Sequence, residues 1–197
     1  MTYKRIILVI FLSFMFSSCM GVFSPIANTP TSLKQGDSKV TIAGGMLSDS
    51  SGDRTERLVF PYLSYQKKTQ EDVTYEFYIF GVKRIDELYK GNRFYFAVYE
   101  SIYAPMYVVG VNLGLLMGYR IGQVDFFLSA KVDGAVGTMG IDEKPPFGAY
   151  ATGSAGINFG GEIFIEFSVY NLLFDTNTDN GLIGDSLVSF VYLGFII

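Results

Sequence analysis

Glu162 and Glu166 are the two residues whose type and spacing best suit catalysis. Side chains on a strand alternate between faces, so carboxylates four residues apart share one face. Such a pair can divide the roles of general acid and general base. A plainer reading groups them with Glu76, Lys131 and Arg120 as charges that neutralise one another inside a polar barrel. Buried charges are tolerable only when paired, so this is the expected reading. The chain has no histidine, and a serine or cysteine nucleophile would therefore lack its commonest base. No catalytic or cofactor-binding residue is assigned. The single cysteine, Cys19, excludes an internal disulfide and a cysteine-ligated zinc site. Residues 175–181 place acids and amides at alternate positions, as oxygen ligands for Ca²⁺ should lie. The glycine falls one place late, however, and Ser186 stands where a bidentate Glu is needed. A polar hairpin loop is expected there, and no metal ligand is assigned.

The elements that must carry these residues are set by residues 106–133, MYVVGVNLGLLMGYRIGQVDFFLSAKVD. Val109, Val111, Leu113, Leu115, Met117 and Tyr119 alternate with Gly110, Asn112, Gly114, Leu116, Gly118 and Arg120. After a turn at Gly122-Gln123, Val124, Phe126, Leu128, Ala130 and Val132 alternate with Asp125, Phe127, Ser129, Lys131 and Asp133. Each arm thus has one apolar face and one small or polar face, the pattern of a barrel with lipid outside and a polar lumen. The four-residue spacing of Gly110, Gly114 and Gly118 also suits packed membrane helices. A spanning helix needs about 20 apolar residues, and this run reaches Arg120 well before that. The hairpin is the expected form.

Further strand-like runs occupy residues 38–47, 57–66, 73–83, 93–103, 149–159, 162–172 and 187–197. Gly160-Gly161 marks a tight turn, and residues 85–89 could form a helical turn. Nine runs are one too many or too few, since single-chain bacterial barrels use even numbers. The expected fold is all-β, an antiparallel up-and-down β-barrel of about eight strands, with ten as the alternative. Residues 48–56, 138–148 and 175–185 are polar and read as surface loops. Tyr62, Tyr65, Tyr75, Tyr95, Tyr103, Tyr107, Tyr119, Tyr150, Tyr170 and Tyr192 fall mostly near strand ends, where interfacial girdles collect such rings; core tyrosine is the other reading.

Composition agrees with a membrane setting. Of 197 residues only 17% are charged, and mean hydropathy is +0.30, against about 25% charged in soluble domains. The net charge of −4 and the lack of a basic patch argue against nucleic acid as a partner.

Lys4 and Arg5 precede an apolar stretch over residues 6–16, of signal-peptide length. It ends Phe16-Ser17-Ser18-Cys19-Met20-Gly21. This resembles the lipobox of bacterial lipoproteins, which implies cleavage before Cys19 and acylation of Cys19, palmitate included. Met20 in place of Asp implies, by the same resemblance, the outer membrane. The expected organisation is a signal peptide over 1–18, a flexible tether over 19–37 and a barrel domain over 38–197. The last run alternates Leu187, Ser189, Val191, Leu193, Phe195 and Ile197, counted back from the end. It resembles the C-terminal strand of outer-membrane barrels, and the strand pattern as a whole resembles the outer-membrane protein A-like superfamily. Known enzymes on small barrels of that kind use a histidine, so the resemblance implies a non-enzymatic role here.

The chain is thus expected to be a lipid-anchored outer-membrane barrel, a monomer among membrane lipids, with a structural or surface-interaction role in the cell envelope. The alternative is a periplasmic, lipid-anchored barrel that encloses a small apolar ligand, as lipocalins do. There Leu113, Leu115, Phe126, Leu128, Ile163 and Ile165 would line the cavity, and Glu162, Glu166 and Lys131 would face water.

Overall fold

The computed structural model describes residues 33–49, 57–104, 108–137, 147–175 and 188–197. They form ten strands: β1 (Ser38–Asp49), β2 (Arg57–Lys68), β3 (Val73–Tyr78), β4 (Gly81–Lys90), β5 (Phe94–Tyr103), β6 (Val108–Ile121), β7 (Val124–Gly137), β8 (Phe147–Phe159), β9 (Ile163–Asp175) and β10 (Val188–Ile196). Each pairs antiparallel with its sequence neighbours, and β1 closes on β10, so the sheet is a closed barrel. Closure removes the free edges that an open sheet presents. Residues 108–121 are a strand paired on both sides, which excludes the helical alternative for that run.

Turn chemistry places the hairpins. Ile121 pairs with Val124 across Gly122-Gln123, and Gly122 takes a φ of 61°. Phe159 pairs with Ile163 across three residues in which Gly160 and Gly161 take φ of 62° and 76°. Only glycine adopts such angles without steric cost. These turns, with residues 69–72 and 91–93, lie at one end of the barrel, where β1 starts and β10 stops. Residues 50–56, 104–107, 138–146 and 176–187 connect strands at the other end.

The strand count is ten, the alternative to the eight expected, and the strand missing from the nine sequence runs is β4. Residues 85–89, expected as a helical turn, lie inside it. The reversal between β3 and β4 is made by Ile79 and Phe80, so no polar turn signal interrupts the alternation. The β3–β4 hairpin is also short. β2 pairs with β3 only from Ser64 to Lys68, and residues 57–63 extend past its tip. Pro61 sits in that extension, where β3 offers no ladder for its missing N–H to interrupt.

Inward-facing rings lock the register. Tyr95, Tyr99 and Tyr103 on β5 stand opposite Gly118, Gly114 and Gly110 on β6. A Cβ on any of these three glycines would collide with the facing tyrosine ring. The same device sets Tyr192 over Gly45, Phe127 over Gly156 and Phe164 over Gly194. The four-residue spacing of the β6 glycines therefore matches the four-residue spacing of the β5 tyrosines across a ladder. The core sits inside the barrel and is packed with Tyr103, Tyr170, Tyr192, Phe164, Phe190 and Leu116.

Candidate functional site

The barrel has two surfaces with opposite chemistry. Its outer wall carries the apolar row of each strand. Leu113 is 65% exposed, Phe126 43% and Ile165 46%, and Leu115, Leu128, Ile163, Val191 and Leu193 are exposed beside them. The polar row of each strand is buried. Glu166 has no exposure and Lys131 has 3%. The enclosed apolar cup of the lipocalin-like alternative is thereby excluded, because all six residues that would line it face outward.

The lumen is filled and its charges are matched. Among the described residues four lysines (Lys39, Lys68, Lys83, Lys131) and five carboxylates (Glu76, Glu87, Asp125, Asp133, Glu166) are buried. Arg120, at the short-turn rim, binds Asp125 with Nε–Oδ1 at 2.7 Å and Nη2–Oδ2 at 3.0 Å, which brings the two signs into balance. Lys83 Nζ lies 2.9 Å from Glu76 Oε2, and the Tyr62 hydroxyl donates to Glu76 Oε1 at 2.7 Å. Lys131 Nζ lies 3.3 Å from Asp133 Oδ2 and 5.5 Å from the Tyr170 ring centroid. Ser168 donates to Glu166 at 2.9 Å and bonds Ser154 at 2.8 Å. Lys68 pairs with Glu87, and Lys90 lies 3.4 Å from the second Glu87 oxygen. Lys68–Glu87 reaches across β3 from β2 to β4, Lys83–Glu76 joins the neighbouring strands β4 and β3, and Lys131–Asp133 lies within β7. In a low-dielectric interior such pairing is what makes ionised groups tolerable.

The two carboxylates singled out by spacing do not form a pair. Glu166 is buried on β9, whereas Glu162 is exposed in the β8–β9 turn. The turn consumes Glu162, so it never enters the strand and shares no lumen face. The neutralising set read from sequence is right for Glu76, Lys131, Arg120 and Glu166. It omits Lys39, Lys68, Lys83, Glu87, Asp125 and Asp133, which are buried beside them.

Most of the expected girdle tyrosines are lumen residues instead. Tyr95, Tyr103, Tyr170 and Tyr192 are buried, and Tyr62 reaches Glu76. Tyr65 and Tyr119 do stand on the outer wall, joined by Tyr89. Ring placement follows strand parity and the need of each facing glycine for cover, not distance from a strand end. Tyr107, the 176–187 loop and Cys19 lie outside the described residues. Of the expected tether, residues 33–37 are described: Leu33 is buried, and Gly36 N donates to Lys68 O at 2.9 Å. Among the described residues no group of three acids, cysteines or histidines is placed to hold a metal.

One feature of the wall has no counterpart in the sequence reading. Arg84 and Asp86 on β4 and Glu100 on β5 are the charged side chains on the outer face away from strand ends, among the described residues. Arg84 Nη2 lies 3.0 Å from Asp86 Oδ1, and Arg84 Nη1 lies 3.8 Å from Glu100 Oε1. Alternation within residues 81–90 would have exposed this cluster, had β4 been recognised as a strand.

No protein-family model matches the chain, and no curated protein matches it. Among solved structures it is similar to Neisserial surface protein A, at 10% identity and a TM-score of 0.43, over 81% of this chain and 96% of that one. It is similar to Ail, the attachment invasion locus protein of Yersinia pestis, at 14% identity and a TM-score of 0.36, over 83% of this chain and 99% of that one. It is also similar to the outer membrane enzyme PagL, at 8% identity and a TM-score of 0.38, over 80% of this chain and 98% of that one.

Proposed function

We propose that the chain is an outer-membrane β-barrel lipoprotein, anchored through Cys19 and spanning the bilayer with its strands, with a structural or surface-interaction role. The observation that carries this reading is the inverted distribution of polarity. Apolar rows cover the outer wall, while nine ionisable side chains are buried in the lumen. A barrel in water would reverse that arrangement, since exposed apolar patches of this extent mark a binding or membrane surface. The longest connections, residues 50–56, 138–146 and 176–187, all fall at one end and none at the other, which fits the external and periplasmic faces of such barrels. β1 starts at the short-turn end, the side from which a lipid on Cys19 would enter the inner leaflet. A lumen packed with rings and matched charges favours a scaffold over a channel. The absence of histidine and the engagement of Glu76 and Glu166 in hydrogen bonds favour a non-enzymatic role.

Carbonate extraction of membranes tests the assignment. Cys19→Ala should lose its acyl mass yet remain in the carbonate pellet, because ten strands hold it there. Release of that variant into the supernatant rules out the spanning barrel. Unchanged mass of the mature protein rules out the lipid anchor alone. A charge placed on the wall should also be costly. Leu128→Arg, on the exposed row of β7, is expected to lower stability in liposomes by about 2–4 kcal/mol, the depth-dependent cost of an arginine near the bilayer midplane. Ile121→Arg, exposed at the short-turn end of β6, should cost about 0–1 kcal/mol. Equal losses from the two variants, measured by urea unfolding, would contradict a bilayer around the wall.

A further inference from the structure

We infer that the wall formed by β4 and β5 is a dimer interface within the membrane, at which Arg84 of one copy pairs with Glu100 of a second copy. The inference rests on the spanning barrel proposed above. Arg84 is three residues from Gly81 at one end of β4 and six from Lys90 at the other. Those separations are about 10 Å and 20 Å along a strand, so the guanidinium starts from deep in the wall rather than from its rim. Around it the outer face is apolar: Val82 and Leu88 on β4, Val98 and Ile102 on β5, and Leu113 opposite Glu100 on β6. Charged side chains on a lipid-facing wall are destabilising, and those found at membrane depth almost always face protein or water.

Intramolecular contacts leave this cluster incompletely covered. Asp86 takes the near side of the guanidinium through Nε at 3.1 Å and Nη2 at 3.0 Å. Glu100 is 3.8 Å away, beyond hydrogen-bond reach, and its side chain is 60% exposed. Arg84 is itself 45% exposed. A guanidinium has five donors in a planar fork suited to bidentate carboxylate binding, and its outward edge has no second carboxylate in this copy at bonding distance. The cluster holds both signs on neighbouring strands, with Arg84 and Glu100 directly opposite in the ladder. A two-fold axis along the membrane normal would bring each arginine to the other copy's glutamate. Such self-complementarity is the mark of an isologous interface. A patch of one sign would instead call for a different partner. Ile102 and Leu88, each 59% exposed, flank the charges and supply an apolar surround. This replaces the monomer expected from the sequence, in which the three charges were not placed on the wall.

Cysteine cross-linking in native membranes tests the interface. Ile102→Cys in the full chain should give at least tenfold more covalent dimer than Leu193→Cys, which lies on β10, five strands away around the ring. Arg84→Glu should abolish the Ile102→Cys product, and Arg84→Glu with Glu100→Arg should restore it. Folding of each variant is read from its heat-modifiable gel mobility. If Arg84→Glu does not fold, the triple variant Arg84→Leu, Asp86→Leu, Glu100→Leu serves instead, and it should fold but lose the dimer. Equal cross-linking at 102 and 193, failure of the swapped pair to restore it, or dimer retained in the triple variant each overturn the interface. Carbonate release of the protein would overturn the spanning barrel as well; retention with equal cross-linking overturns only the dimer.

Discussion

Gly114→Val is expected to destabilise the barrel by about 2–6 kcal/mol, combining overpacking with an orphaned buried hydroxyl. The ideal Cβ at Gly114 collides with the hydroxyl end of the Tyr99 ring. Tyr99 is buried, its hydroxyl lies 3.0 Å from Ser129 Oγ across the lumen, and Lys83 Nζ stands 5.8 Å from its ring centroid. The ring cannot yield without giving up the hydrogen bond and the contact with Lys83 together. Gly110 and Gly118 face Tyr103 and Tyr95 in the same way, so no slack is available from neighbouring layers. The matched control is Gly153→Ala on the outer face of β8, where a Cβ meets nothing within 4 Å. There the added methyl should be neutral or stabilise by about 0.5–1 kcal/mol, through reduced chain entropy. Urea unfolding followed by far-UV circular dichroism suits a chain that lacks tryptophan. A Gly114→Val barrel as stable as Gly153→Ala would mean the tyrosine–glycine pairs do not hold the register.

The second large effect concerns a buried ion pair. Glu87→Ala should cost about 3–5 kcal/mol, because it strands a buried ammonium without its counter-charge. Lys68 is 1% exposed and pairs with Glu87 across the short β3 strand. Lys68→Met should cost much less. The remaining Glu87 carboxylate keeps Lys90, whose side chain is 42% exposed and 3.4 Å away. The double variant Glu87→Ala, Lys68→Met should recover most of the single loss, since removing both charges also removes their desolvation. If Lys68→Met proved the more damaging single change, the pair would be held by something other than charge compensation. The position of the pair matters. It ties β2 to β4 at the short-turn end, across a β2–β3 ladder that runs only from Ser64 to Lys68.

How much of this was legible from the chain varied with the kind of information required. The outward rows of β6, β7, β8 and β9 are those that alternation marks, residue by residue, from Val109 to Val169. The turns at Gly122 and Gly160-Gly161 are marked by residues that tolerate positive φ. The β3–β4 reversal was missed because Ile79 and Phe80 are apolar, and polar residues signal turns only where a turn meets water. Missing it also hid the outward charges of Arg84, Asp86 and Glu100. Glu162 was misplaced for the opposite reason: parity put it on the lumen face, but the glycine turn ended the strand one residue short of it.

By itself the sequence determined which side of each strand is apolar, because strand alternation has a period of two and needs no knowledge of any partner. It also determined that the ionisable residues on the small-residue faces must find counter-charges. Only the tertiary structure decided which partner each one takes, because Lys83–Glu76, Lys68–Glu87 and the neutral Tyr99–Ser129 pair each depend on how separate strands are placed side by side. Closure into ten strands also turned three evenly spaced glycines into sockets for three tyrosines. That pairing depends on register between β5 and β6, a relation between segments that neither segment encodes alone.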